Sequence, residues 1–407
     1  MKEQARKAIR LCRELALCTE EQGKITRTFL SPPMKNVHRA LSDWMGDAGM
    51  RTWVDAVGNL HGILPAARTS APRLLIGSHL DTVPDAGAFD GVLGVVLGIL
   101  LAESFQGWRQ ELGIEVIGFS DEEGVRFGTP FIGSRALVGS LHEADLDLRD
   151  RQNRSLRDAI RDFGLDTSGL KHARLAGGAI GYLELHIEQG PVLESLDYPL
   201  GIVNALAGQS RLDLTFGGKA NHAGTTPMNM RRDAMAGAAE WILEVEREAA
   251  SQEGLVATVG RIEVAPNATN AIPGSVSASL DVRHAADSLR REHVDQLVSA
   301  ARAIARRRGL ELTCRRQLDL PATRMDATMC KRLEQAVQAM GYPVHRMTSG
   351  AGHDAMIMAP HVPSTMLFLR SPGGVSHSRE ESVLVDDVEA ALAVGLEFLQ
   401  VLEVQYA

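Results

Sequence analysis

Residues 73–91, RLLIGSHLDTVPDAGAFDG, run from an apolar, strand-like stretch straight into a loop carrying His79, Asp81, Asp85 and Asp90. Beyond Arg73 this segment holds no Lys or Arg. Its apolar half decides the fold, because the same form recurs. GIEVIGFSDEEG (113–124), AIGYLELHIEQG (179–190) and PSTMLFLRSPGG (363–374) are also apolar runs that close in a polar, Gly-punctuated loop. Helical patterns such as LGVVLGILLAESF (93–105) lie between them. Buried strands alternating with helices predict an α/β domain with a largely parallel central sheet. In such sheets ligands bind beyond the carboxyl ends of the strands, where His79, Asp81, Glu122, Glu123 and His186 all fall.

Between 208 and 322 the rhythm changes. A strand (SRLDLTFGG), a helix (RRDAMAGAAEWILEVEREAA), strands LVATVGRIEV and VSASLDVRH, a helix (SLRREHVDQLVSAARAIARRR) and a strand (LELTCRRQL) follow in turn. That β-α-β-β-α-β order is the split ferredoxin-like unit. The expectation is a second domain, 208–322, inserted into a first domain made of 1–207 and 323–407.

The 407 residues are enough for two domains with sizeable cores. A net charge of −8 with dispersed basic residues argues against nucleic acid or a membrane surface as partner. RAIARRRG (302–309) ends a helical pattern, where cations suit the helix dipole. Cys12, Cys18, Cys314 and Cys330 form no C-x-x-C pair, which points to a reducing compartment. The amphipathic start, 1–21, lacks the uninterrupted apolar core of a signal peptide, and GVLGVVLGILLA (91–102) is too short to span a bilayer. A cytoplasmic location is expected. Phosphate-loop, dinucleotide, H-E-x-x-H and G-x-S-x-G motifs are absent.

The acidic loop needs counter-charge. A single His reads as a core or surface residue, but His79, Asp90, Asp121-Glu122-Glu123, His186 and His377 share the strand-end loops. Divalent cations are the natural counter-charge for clustered carboxylates, and mixed imidazole and carboxylate donors suit Zn²⁺, Mn²⁺ or Co²⁺. His79 and Asp81, at i and i+2, project to one side of an extended segment, so Asp81 can hold the His79 ring. Asp90 can lie between two ions. Adjacent Glu122 and Glu123 point apart, so one can bind metal while its neighbour handles protons, the equipment for hydrolysing a C–N bond. His353, followed by Asp354, reads as a buried polar pair steadying the Gly352 loop.

GSHLDTVPDAGAFDG, SDEEGVRFGTPFIGS, ELHIEQGPVLE, NHAGTTPMNMRRDA, SGAGHDA and GVSHS, in this order, resemble the dinuclear-metal M20 amidohydrolases. The resemblance spans roughly residues 20–400 and is strongest to the branch of allantoate amidohydrolases and N-carbamoyl-L-amino-acid hydrolases. It implies an exopeptidase-like catalytic domain and a ferredoxin-like dimerisation or lid domain. It makes His79, Asp90, Glu123, His186 and His377 the ligands of two divalent ions (Zn²⁺ or Mn²⁺, with Co²⁺ as an option), Asp90 bridging. Glu122 becomes the general base and Asp81 the residue that orients His79. Substrate contacts fall on Gln189, His222, Asn270, Arg283 and Gly352. The implied reaction is hydrolysis of a ureido C–N bond in a small carboxylate by a homodimer whose His222 serves the partner's site. FSDEEGVRF, MNMRRDAM (228–235) and MRTWVDAVGNLHG (50–62) favour allantoate, with an N-carbamoyl-L-amino acid as the alternative substrate. A catalytically dead relative serving as a binding module would be expected to lack Glu122 or several ligands, and none is missing.

Overall fold

The structure, a computed structural model, describes residues 1–68, 71–107, 111–175 and 177–406. The chain forms two compact units, Met1–Asn204 with Met325–Ala407, and Ala205–Arg324.

In the first unit, the four apolar runs become the central strands Arg73–His79, Gly113–Phe119, Ala179–Ile187 and Ser364–Leu369. Gly113–Phe119, Arg73–His79, Ala179–Ile187 and Ser364–Leu369 lie side by side in that order, every neighbouring pair parallel. Nearly every residue in them is buried, which is why they read as unbroken Val, Ile and Leu runs rather than alternating patterns. Antiparallel strands flank this core, Leu60–Leu64 and Arg51–Val54 on one side and Leu200–Leu206 on the other. The helix Val92–Phe105 is apolar all round and buried, between the sheet and the helices Lys2–Ala16 and Val385–Tyr406. Its close seat requires Gly94, where a Cβ would stand 2.1 Å from the Leu185 carbonyl oxygen. Among the described residues no helix is long and apolar enough to cross a membrane.

The second unit holds an antiparallel sheet in the order Ile262–Ala265, Ser275–His284, Gly208–Gly217, Glu311–Leu320. Alternation sorts its faces. Leu212, Leu214, Phe216, Val276, Ala278, Leu280 and Val282 join Trp241 and Val245 of helix Ala234–Ser251 and Val294, Leu297 and Ala301 of helix Asp287–Arg308 in one core. The run LVATVGRIEV, read as one strand, is two: Val256–Thr258 pairs with Asp281–Arg283, and Ile262–Ala265 with Ser275–Ala278. At the break the Ser279 hydroxyl takes the Arg261 N–H at 3.0 Å, while the Ser279 N–H donates to the Arg261 carbonyl at 3.0 Å. Beyond the Gly217 and Ser275 end of the sheet, Asn221–His222 and Ala271–Ile272 form a separate two-stranded ribbon.

Candidate metal centre

The parallel core carries its polar residues on the loops at one end. His79 ends its strand, His186 precedes the last residue of Ala179–Ile187, Glu122 and Glu123 follow Gly113–Phe119, and His377 follows Ser364–Leu369. Asp90 comes just before helix Val92–Phe105, joined to it by Gly91 at φ +67°. A Cβ at Gly91 would lie 2.5 Å from the His79 ring, so glycine is required there both by backbone and by space.

These side chains converge. His186 Nε2 lies 3.2 Å and His79 Nε2 3.7 Å from Asp90 Oδ1, and the two imidazole Nε2 atoms are 3.4 Å apart. His377 Nε2 lies 3.3 Å from the other oxygen, Asp90 Oδ2, and 3.6 Å from Glu123 Oε1. Two triplets, His79–Asp90–His186 and Asp90–Glu123–His377, thus share Asp90, one oxygen each; a third groups His79, Glu122 and Glu123. His79 Nδ1 is 3.0 Å from the Asp81 carbonyl and His186 Nδ1 2.9 Å from the Ile187 carbonyl. Each ring thereby turns its Nε2 toward the centre. Two inward imidazole nitrogens and a shared carboxylate fit a pair of divalent transition ions.

The charges point the same way. Burial, and then Glu123, Asp354 and Asp81, push the Glu122 carboxyl well up. Burial, and then Asp90 and Asp81, raise Glu123 to about 7. Burial alone would disfavour charge on Asp90, yet His377 and His79 hold it well below the usual range. Crowded carboxylates of this kind are stabilised when a divalent cation lies among them.

Asp81 stands beside the His79 ring and also supports the turn after the next strand. Its carbonyl holds His79, with its carboxylate oxygen 3.5 Å from the ring. The carboxylate also accepts the backbone N–H groups of Glu122 at 2.9 Å and Glu123 at 3.2 Å, fixing the turn that bears them. His353 bonds the Ser349 hydroxyl at 3.1 Å, not Asp354, and packs edge-on against the His186 ring at 4.4 Å. With φ −149° and ψ 165° His353 is extended, so it and its neighbour project to opposite sides.

Of the residues expected at substrate, Gln189 stands among the ligands, its amide nitrogen 3.1 Å from Asp90 Oδ1 and 3.4 Å from His377 Nε2. Gly352 lies against the Phe131 ring. The other three belong to the second unit. His222 and Asn270 meet at the ribbon, where Ala223 N–H donates to the Asn270 carbonyl and His222 pairs with Ala271. Arg283 is elsewhere. It pairs with Gln209 at the opposite end of the sheet from the Ser275 and Gly217 pair, and its Nε is 2.9 Å from Asp281 Oδ1. From Ser275 to Arg283 the strand runs about 26 Å at about 3.3 Å per residue.

Three supporting residues have little or no local signal in the sequence. Arg27, 1% exposed, donates to the Leu80 carbonyl at 2.7 Å and to the Leu15 and Cys18 carbonyls at 3.1 Å. Arg379 pairs with Asp85. These cations, remote in sequence, stand beside a loop that has none of its own. Glu381 accepts the N–H groups of Phe89 and Asp90 at 2.9 and 3.0 Å; the only local cue is its place four residues after His377.

Residues 75–401 match the family described as peptidase family M20/M25/M40. The chain is 41% identical to allantoate deiminase 2 of Glycine max, over 95% of this chain and 87% of that protein. It is 38% identical to the N-carbamoyl-L-amino acid amidohydrolase of Geobacillus stearothermophilus, over 93% of each. A hydantoinase/carbamoylase family amidase from Burkholderia multivorans has a similar solved structure, with TM-score 0.92 and 30% identity over 98% of this chain and 97% of that one.

Proposed function

This chain belongs to peptidase family M20/M25/M40, and we propose that it hydrolyses the ureido C–N bond of a small carboxylate, allantoate before any N-carbamoyl-L-amino acid. The observation that carries this is the pair of ligand triplets sharing Asp90, with Glu122 beside them. The 41% identity to a plant allantoate deiminase against 38% to an N-carbamoyl-L-amino acid amidohydrolase leans to this order, while the Escherichia coli allantoate amidohydrolase, at 33%, does not.

His79, Asp90 and His186 would hold one ion, and Asp90, Glu123 and His377 the other. When bound, the ions supply Lewis acidity for the ureido carbonyl and make a water easier to deprotonate. Zn²⁺, Mn²⁺ and Co²⁺ all suit these donors. Glu122 takes the proton from the attacking water and returns it to the leaving nitrogen. Asp81, through the Glu122 and Glu123 N–H groups, holds the base in line. Gln189 and Gly352 border the substrate. Arg283 forks onto its carboxylate, and His222 with Asn270 hold the oxygen on which charge develops.

One small molecule is too short to reach Asn270 and Arg283 of the same copy. That supports a homodimer in which one copy supplies His222 and Asn270 and the other Arg283. We read the second unit accordingly as a ferredoxin-like dimerisation and lid domain, and the location as cytoplasmic.

Purified protein, stripped of metal and reconstituted with each of the three ions, is tested for ammonia release from allantoate and for hydrolysis of N-carbamoyl-L-amino acids. A higher kcat/KM on allantoate is expected. The reversed ratio makes the chain an N-carbamoyl-L-amino-acid hydrolase, and no turnover of either overturns the reading in favour of a binding module.

A further inference from the structure

The triplet Asp90–Glu123–His377 draws its ligands from loops far apart in the chain, and one of those loops has a backbone that is not self-supporting. His377 itself has φ +53°, following Gly373 at +69° and Gly374 at +64°. A left-handed His persists only where its surroundings hold it. His377 is also 49% exposed at its side chain, so packing alone does not fix it.

Glu381 ties this loop to the one bearing Asp90. One carboxylate oxygen, Oε1, accepts both the Phe89 and the Asp90 backbone N–H, at 2.9 and 3.0 Å. The other, Oε2, accepts the Ser376 hydroxyl at 3.2 Å, one residue before His377. Glu381 is 5% exposed although Arg379 and Glu380 beside it are exposed. Room for it is built in: a Cβ on Gly87 would fall 2.3 Å from Glu381 Oε1.

We propose that Glu381 is a positioning residue that sets the spacing between Asp90 and His377, and with it the affinity of the ion held by Asp90, Glu123 and His377. This rests on the metal-centre reading above. Glu381 belongs to none of the ligand triplets. It acts through the backbone of one ligand and the neighbour of another, and partners of this outer kind typically alter metal affinity by about 10–100-fold.

The test is calorimetric titration of metal-stripped protein with Mn²⁺ or Zn²⁺ alone. Wild type should bind two ions per chain; if it binds none, the metal-centre reading fails before Glu381 is examined. Glu381→Ala should weaken one of the two ions by about 10–100-fold and the other markedly less. Glu381→Gln keeps an oxygen for both N–H groups and an amide facing Ser376, and should stay within about 3-fold of wild type at both. Ser376→Ala, which cuts the tie between the loops and also removes the hydroxyl that accepts from Gln189 Nε2 at 3.2 Å, should weaken the same ion as Glu381→Ala. It decides the matter if Glu381→Ala fails to fold by circular dichroism. Unchanged affinities in Glu381→Ala, an equal fall at both ions, or a Gln variant as weak as the Ala variant would each overturn the proposal.

Discussion

Replacing His61 by Gln should remove a pH-dependent part of the stability of the first unit. His61 sits on strand Leu60–Leu64, 3% exposed, with Nδ1 2.9 Å from Glu115 Oε1 and Nε2 3.6 Å from Asp55 Oδ2. The Trp53 indole stacks on its ring at 4.8 Å and 6°. Burial by itself disfavours the charged ring, but Asp55 and Glu115 outweigh it and raise its pKa from 6.5 to about 9. At about 1.4 kcal/mol per pH unit, that rise is worth about 3 kcal/mol. The folded pKa lies above the unfolded one, so the contribution is fully present below 6.5 and is lost as pH climbs to about 9. The absolute effect of the substitution can take either sign, because exchanging a buried ion pair for neutral groups is sometimes stabilising. The pH slope is therefore what should be measured. Urea unfolding of metal-free wild type and His61→Gln is followed at about pH 6 and about pH 10, and the stability gap in favour of wild type should be about 3 kcal/mol larger at the lower pH. A gap that is flat across this range, or that widens with pH, would refute the account. The network also has a functional reach. Asp55 accepts the Asn59 amide at 2.8 Å, and Asn59 Oδ1 accepts the Ser120 N–H at 3.0 Å, immediately before Asp121–Glu123.

Other outcomes follow from the metal-centre reading. Chelation should abolish activity and a divalent transition ion should restore it; full turnover in rigorously metal-free protein would dismantle the centre. Glu122→Gln should retain two ions in calorimetry yet lose about 10²–10⁴-fold in kcat, whereas His186→Ala should lose metal affinity; a Gln variant with normal turnover would remove Glu122 as the base. Mixing inactive His222→Ala and Glu122→Gln proteins under subunit exchange should restore about one quarter of wild-type activity, since about half the dimers are then hybrids with one intact site. Exchange shown by mass spectrometry without recovered activity would argue for sites confined to one copy.

Much of the fold was legible because its signals are local. An unbroken run such as LLIG or VIGF reports burial on both faces through its own composition, and four such runs with Gly-punctuated ends were enough to expect a parallel core. The same runs placed His79, Glu122, Glu123 and His186 at strand ends, and there the structure brings them together with Asp90 and His377. Local reading was less reliable where a side chain intruded on the backbone. LVATVGRIEV is two strands, with the Ser279 hydroxyl on the Arg261 N–H between them, and the extended His353 turns from Asp354 to Ser349.

What the sequence could not determine was how the buried charge is satisfied. No pattern near residues 77–91 announces that Arg27 lies behind Leu80, that Arg379 pairs with Asp85, or that Glu381 holds the Asp90 N–H. Nor does spacing along the chain reveal that His222 and Asn270 share one ribbon while Arg283 lies at the far end of the sheet. The side-chain period and composition of a strand or helix belong to one short segment, so they are written locally. Coulombic attraction and hydrogen bonding depend on distance through space and are indifferent to the fifty or three hundred residues between partners. Only the folded chain supplies those distances, and so the fold of this protein could be read from short stretches while the support of its candidate metal centre could not.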